Sequence, residues 1–168
     1  MSEPEVWLRG PVPNVAPLLQ PVAHSLLQCR AEVRVALPSL TPAQLWARPG
    51  GAASVGYHAR HAMGSLDRLF TYARGEQLTA AQLGALANED RADERDGIQS
   101  QLVAEFDAAV ERALAQLRAT PEIALLEPRE VGRAKLPSTV IGLLFHAAEH
   151  TQRHAGQLVT TAKIVSAR

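Results

Sequence analysis

The sequence predicts an all-α protein, a four-helix bundle with short extra helices in the connections. Apolar residues recur at helical spacing in four long stretches, and no run of five or more residues alternates in the manner of a half-buried strand. Aromatic residues make up only 4% of a chain that is 46% hydrophobic, so the core must be built from Leu, Val, Ile and Ala. That composition suits close-packed helices better than a β-sandwich. At 168 residues the chain is the size of one domain. Folding at this size buries roughly two-thirds of the unfolded surface, enough for a core without staples. We expect a single domain over residues 1–168, with 1–12 as an N-terminal extension.

Each element follows from its pattern. Val15, Leu18, Leu19, Val22, Leu26, Leu27, Val33 and Leu37 predict a first helix from about Asn14 to Leu37, with Pro11, Pro13 and Pro17 crowding its start. Thr41-Pro42 opens a short helical turn, because Thr is a good N-cap and Pro is tolerated at the first helical position. Arg48-Pro49-Gly50-Gly51 is a loop. A second long helix begins at the Ser54 cap, carries Val55, His58, His61, Ala62, Leu66, Leu69 and Phe70, and stops at Arg74-Gly75. Thr79 to Asn88 reads as another short helix, and the mixed charges of Glu89 to Asp96 read as solvated linker. Ile98, Leu102, Phe106, Val110, Leu114 and Leu117 define a third long helix, halted before Pro121. Glu122 to Pro137 reads as irregular, after which Ser138 is expected to cap a last helix reaching about Ile164.

Several function classes are excluded at this stage. Seventeen basic residues, fifteen arginines with Lys135 and Lys163, balance seventeen acidic ones, so the basic excess expected of a nucleic-acid binder is missing. No apolar run approaches the ~20 residues needed to span a bilayer, and Met1 to Arg9 has no signal-peptide character. A cytoplasmic protein without membrane or nucleic-acid partners is expected. Cys29 is the only cysteine, which rules out an internal disulfide; its place in the first helix pattern marks it as a small core hydrophobe.

Six histidines are the unusual feature, and five of them lie in two clusters. His146, His150 and His154 are spaced at i, i+4 and i+8. At ~100° per residue, neighbours in that series face one way. His58 and His61 lie one turn apart on the second helix. Helical bundles build metal sites from side chains on facing helices, and divalent ions accept imidazole nitrogen. An isolated buried histidine is usually satisfied by a carbonyl, as expected for His24, but five imidazoles in two clusters each need a partner to offset desolvation. Spacing alone therefore points to a metal, without deciding which of the five bind it. Zn and Ni lead as candidates, while Fe, Co and Cu also suit imidazole. Trp7, Trp46, Tyr57 and Tyr72 read as packing residues under loops or at an interface, Tyr57 being the one that directly precedes the first histidine cluster.

Two stretches carry a family likeness. Ser54-Val55-Gly56-Tyr57-His58-Ala59-Arg60-His61, followed by Leu66-Asp67-Arg68-Leu69, resembles the second-helix pattern of the DinB/YfiT-like superfamily. Leu144 to Gln157, which holds His150-Thr151-Gln152-Arg153-His154, resembles its last-helix pattern of a His-x-x-x-His pair followed closely by Gln. The resemblance implies a metal-binding four-helix bundle, often dimeric, with ligands that fall on His61, His150 and His154. His58 and His146, each one turn before a proposed ligand, read as residues that orient those imidazoles, face a substrate or pack; Gln157 and Glu149 are candidates to orient the imidazoles, although a solvated surface carboxylate is the simpler reading of Glu149. Ala155 stands where the family often carries Arg, which removes one expected substrate contact.

Characterised members of the superfamily include transferases and isomerases that use low-molecular-weight thiols such as bacillithiol or mycothiol. The leading expectation is accordingly a metal-dependent enzyme that joins a small thiol to an electrophile in stress or detoxification, working as a homodimer. A metal-dependent hydrolase and a non-catalytic metal-binding stress-response bundle are the alternatives. His146-Ala147-Ala148-Glu149-His150 also matches the His-x-x-Glu-His string of inverted zincin proteases. Too little chain follows His150 to supply a third ligand and a cleft of that kind.

Overall fold

The computed structural model describes residues 4–167. Four long helices dominate it: α1 (Gln20–Ala36), α3 (Val55–Ala73), α5 (Ile98–Ala119) and α6 (Val140–Ser166). Each packs on two of the others, α6 lying against α1 and α3, and α5 against the same two, with the α3–α6 interface the most extensive. Short helices α2 (Pro42–Trp46) and α4 (Ala80–Ala87) occupy the connections. The shared core is aliphatic, as the composition requires: Leu19, Leu26, Val33, Leu66, Leu114, Leu144 and Leu158 are buried, with Phe70 and Phe106 among them.

The helix starts follow local capping chemistry. Thr41 and Thr79 each form a capping box, with Gln44 and Gln82 respectively, and the Ser54 hydroxyl accepts from the Tyr57 N–H at 3.1 Å. Gly75, at φ +79°, follows the end of α3 in the left-handed conformation that a glycine adopts without strain.

Four expectations are corrected. α1 begins at Gln20, not near Asn14, because Asn14 sits at φ +61° and Pro17–Leu19 form a 3-10 turn that delivers the chain to the helix. Residues 122–137 are not irregular throughout. They hold a 3-10 turn at Glu122–Ala124 and most of a hairpin of β1 (Pro128–Val131) and β2 (Leu136–Thr139), antiparallel with Pro128 opposite Thr139 and Val131 opposite Leu136. Four-residue strands, one containing Pro137 and the other starting at Pro128, are too short to show an alternating pattern. Ser138 belongs to β2, and it is Thr139 whose hydroxyl accepts from the Gly142 N–H at 3.1 Å and caps α6. Finally, the segment after α4 is not simply a solvated linker, since Glu89 within it is buried.

Two features of this frame set up the histidine region. The hairpin and the preceding turn anchor the start of α6: Val140 N–H donates to the Glu127 carbonyl at 3.1 Å and Ile141 N–H to that of Leu125 at 2.9 Å, while Arg129 reaches the Ala73 carbonyl at the end of α3. On the other side, Trp46 packs so closely on α3 that a Cβ at Gly56 would lie 2.6 Å from its ring. From there the indole N–H donates to the Asp93 carbonyl at 2.6 Å, and Arg60, stacked 4.5 Å from the Trp46 ring, donates to the Asn88 and Arg91 carbonyls. The 88–93 connection is thereby held against α3.

Candidate metal centre

The two histidine clusters meet across the α3–α6 interface. His61 comes from α3, and His150 and His154 from successive turns of α6. One ring nitrogen of each lies within 4.8 Å of the others. His61 Nε2 and His150 Nε2 are 3.0 Å apart, and the ring centroids of His154 stand 4.5 Å from His61 and 4.6 Å from His150. Two nitrogens bound to one ion at ~2.0–2.1 Å in tetrahedral geometry would be separated by about 3.3 Å, so the spacing already approximates a coordination shell. The three side chains are partly shielded from solvent.

Each neighbouring polar group has a definite place. The Glu89 carboxylate splits between two partners, Oε2 accepting from His61 Nδ1 at 2.7 Å and Oε1 from Arg68 Nη1 at 2.8 Å. A carboxylate only accepts, so His61 Nδ1 carries a proton there, and Nε2 is the ring nitrogen that faces His150. Buried His58 places its Nδ1 3.0 Å from His154 Nδ1, one donating to the other. Tyr57 lies parallel to the His61 ring, with centroids 5.3 Å apart, and closes that side of the cluster. His146 is half-exposed with its ring 5.6 Å from His150, and its Nδ1 pairs with Glu149 at 2.8 Å. Glu149 also binds Arg153 and so lies on the outer face of α6, away from the imidazole contacts between helices. Gln157 is exposed and bonds none of the imidazoles among the described residues. Cys29 is fully buried in the core, and burial followed by the charge of Glu32 pushes its thiol up to about 12, so it is no nucleophile.

Electrostatics favour neutral rings. Burial, and then the charges of His61, His150, His58 and Arg153, push His154 down to about 4. His150 is lowered by burial and then by His61, His146 and Arg153, and His58 by burial and then by His61. Neutral imidazoles present the lone pairs that a metal needs. Burial pushes the Glu89 carboxyl up, but hydrogen bonds from His61 and Arg68 outweigh it and hold the group ionised. A cavity of about 730 Å3 borders Glu89, lined by Arg60, Asp67, Arg91, Asp93 and Arg112 among others; none of the five clustered histidines lines it.

Glu89 and Arg68 are the participants that sequence reading missed. Glu89 reads as one acid in a mixed-charge run, and Arg68 enters only as part of the second-helix family pattern, with no role of its own. Only a Gly at position 64 hints at the close approach, since a Cβ there would run into Glu89 Oε1 and lie 2.7 Å from Arg68 Nη1.

The fold and the site together define a helical protein with a three-histidine cluster suited to a metal ion between two of its long helices. The sequence profile of the DinB superfamily matches residues 25–158, and the chain belongs to that superfamily. No curated protein matches the chain. Among the described residues no helix is long and apolar enough to cross a membrane.

Proposed function

We propose that His61, His150 and His154 bind one divalent metal ion, and that the protein is a metal-dependent enzyme that transfers or adds a low-molecular-weight thiol to an electrophile. The observation that carries the metal assignment is the 3.0 Å approach of His61 Nε2 to His150 Nε2, residues 89 positions apart in sequence on different helices, with His154 beside both. The donor set is all imidazole, which suits Zn or Ni first and Fe, Co or Cu as well. When bound, such an ion with three protein ligands supplies a Lewis acid that lowers the pKa of a thiol or water in its open position.

The chain's own residues prepare that position. His58 fixes the His154 ring through the Nδ1 contact, so the opposite nitrogen, Nε2, is the one left for the ion. Tyr57 shields one side of His61, and His146, half-exposed beside His150, stands where it can contact a bound substrate. The buried, unreactive Cys29 leaves the nucleophilic sulfur to be supplied by a small-molecule partner, and the superfamily's thiol-using members favour that class. Homodimerisation belongs to the same reading.

The test is metal analysis of protein purified without a His-tag, followed by a screen pairing small thiols with electrophiles. One ion per chain is expected, lost in His61→Ala and His150→Ala together with thiol conjugation. Stoichiometric metal in both variants would refute the ligand set. Metal-dependent ester or amide hydrolysis without conjugation would replace the transferase reading with a hydrolase, and bound metal with neither activity would leave a non-catalytic metal-binding bundle.

A further inference from the structure

We infer that Glu89 is the positioning residue of the metal centre: its carboxylate holds His61 in the Nδ1–H tautomer that aims Nε2 at the ion, and Arg68 and Gly64 keep that carboxylate in place. The inference rests on the metal reading above and adds to it a residue outside the helices.

The geometry distinguishes this role from an ordinary ion pair. Glu89 is 5% exposed and Arg68 9%, so the pair is desolvated and needs every lone pair used to offset the cost. Arg68 takes one carboxylate oxygen and leaves the other wholly to His61. A buried acid placed only to neutralise Arg68 would be expected to receive the guanidinium with both oxygens, as Asp107 receives Arg34. Instead the carboxylate is split, and the half not used by Arg68 meets the nitrogen of His61 that points away from His150 and His154.

A carboxylate–imidazole contact on the far side of a ligand fixes the ring's orientation and raises its basicity toward the ion. His154 has a comparable partner in His58, whereas among the described residues no carboxylate lies on a ring nitrogen of His150. Glu89 belongs to neither long helix and reaches the site because Trp46 and Arg60 tie its segment to α3. Gly64 completes the arrangement from below: any Cβ there would collide with the carboxylate and press on the guanidinium. Both obstructed atoms are the ends of flexible side chains, so an added methyl group would push them aside and leave the helix intact.

Zinc affinity, measured by competition with a chromophoric chelator, and the visible absorption of the cobalt form test this in wild type, Glu89→Ala, Glu89→Gln, Gly64→Ala and the Gly64→Ala/Glu89→Ala double variant, each checked for helicity by circular dichroism. Glu89→Ala is expected to weaken zinc roughly 10–100-fold and to alter the cobalt spectrum. Glu89→Gln keeps an acceptor for the His61 N–H and should lose less. Gly64→Ala changes no polar group, yet should weaken zinc, and the double variant should be no worse than Glu89→Ala alone because both changes break the same contact. Zinc affinity within twofold of wild type in helical Glu89→Ala, or losses that add in the double variant, would overturn the inference. Should Glu89→Ala fail to fold, unchanged zinc affinity in both Glu89→Gln and Gly64→Ala would overturn it equally. Wild-type protein that binds none of zinc, nickel, cobalt, iron or copper would refute the metal reading itself and this inference with it, and is recognised before any variant is compared.

Discussion

A neutral imidazole is what the histidine cluster requires, and the folded environment enforces it. His154 is pushed down to about 4, first by burial and then by its neighbours, from an ordinary value of 6.5, and His150 and His58 move the same way. Below pH 6.5 the unfolded chain therefore takes up protons that the folded one resists, and the folded state loses ground until these groups also titrate. Above pH 6.5 both states are neutral and the penalty vanishes. Glu89, lowered in the fold, acts in a separate and more acidic window, its contribution fading as pH falls below the ordinary carboxylate range. The thermal midpoint of the metal-free protein should thus fall steadily from pH 6.5 toward 4, and His154→Gln should flatten that fall. A midpoint as steep in the variant as in wild type, followed by circular dichroism across that range, would count against the protonation account.

Helix ends carry the argument at the next scale. α6 brings two histidines to the site, and its first turn is fixed by the Thr139 hydroxyl on the Gly142 N–H and by backbone bonds to Glu127 and Leu125. Loss of an N-cap side chain typically costs about 1 kcal/mol. Thr139→Ala should therefore lower stability by about that amount in urea unfolding, while Ser138→Ala, which removes no cap, should cost clearly less. The reverse ranking would mean that α6 starts one residue earlier than described. The hairpin that precedes it performs a similar task, tying the start of α6 to the end of α3 through Arg129.

Taken whole, the molecule is four helices whose most extensive interface, α3 on α6, is also the one that the candidate ligands bridge. An ion held from both sides binds only the folded state, so it must stabilise the fold by mass action. Zinc at a hundred times its dissociation constant should add about 2.7 kcal/mol. For a chain of this length that raises the melting temperature by roughly 5–10 °C. His61→Ala, which removes the α3 ligand, should abolish most of that gain, read against the variant's own metal-free midpoint, which itself falls because the buried Glu89 carboxylate loses a hydrogen bond. A zinc-induced rise of the same size in His61→Ala would show that the stabilising ion sits elsewhere.

By itself the sequence determined the α-helical class, the four long helices, three of the caps and the crowding of histidines onto two segments. All of these are local: helical period, cap chemistry and residue spacing act within a few residues of one another. The start of α1 was not legible because apolar spacing continues through Asn14 to Leu19, where positive φ and a 3-10 turn interrupt the helix. The hairpin was hidden by the brevity of its strands. What only the tertiary structure decided is which groups meet: His61 with His150 and His154, His58 with His154, and Glu89 with His61 and Arg68. Those encounters depend on how whole helices and one connecting segment pack, and a charge such as that of Glu89 carries no sign in the sequence of whether it will face water or be drawn inward by residues such as Trp46 and Arg60, more than two dozen positions away.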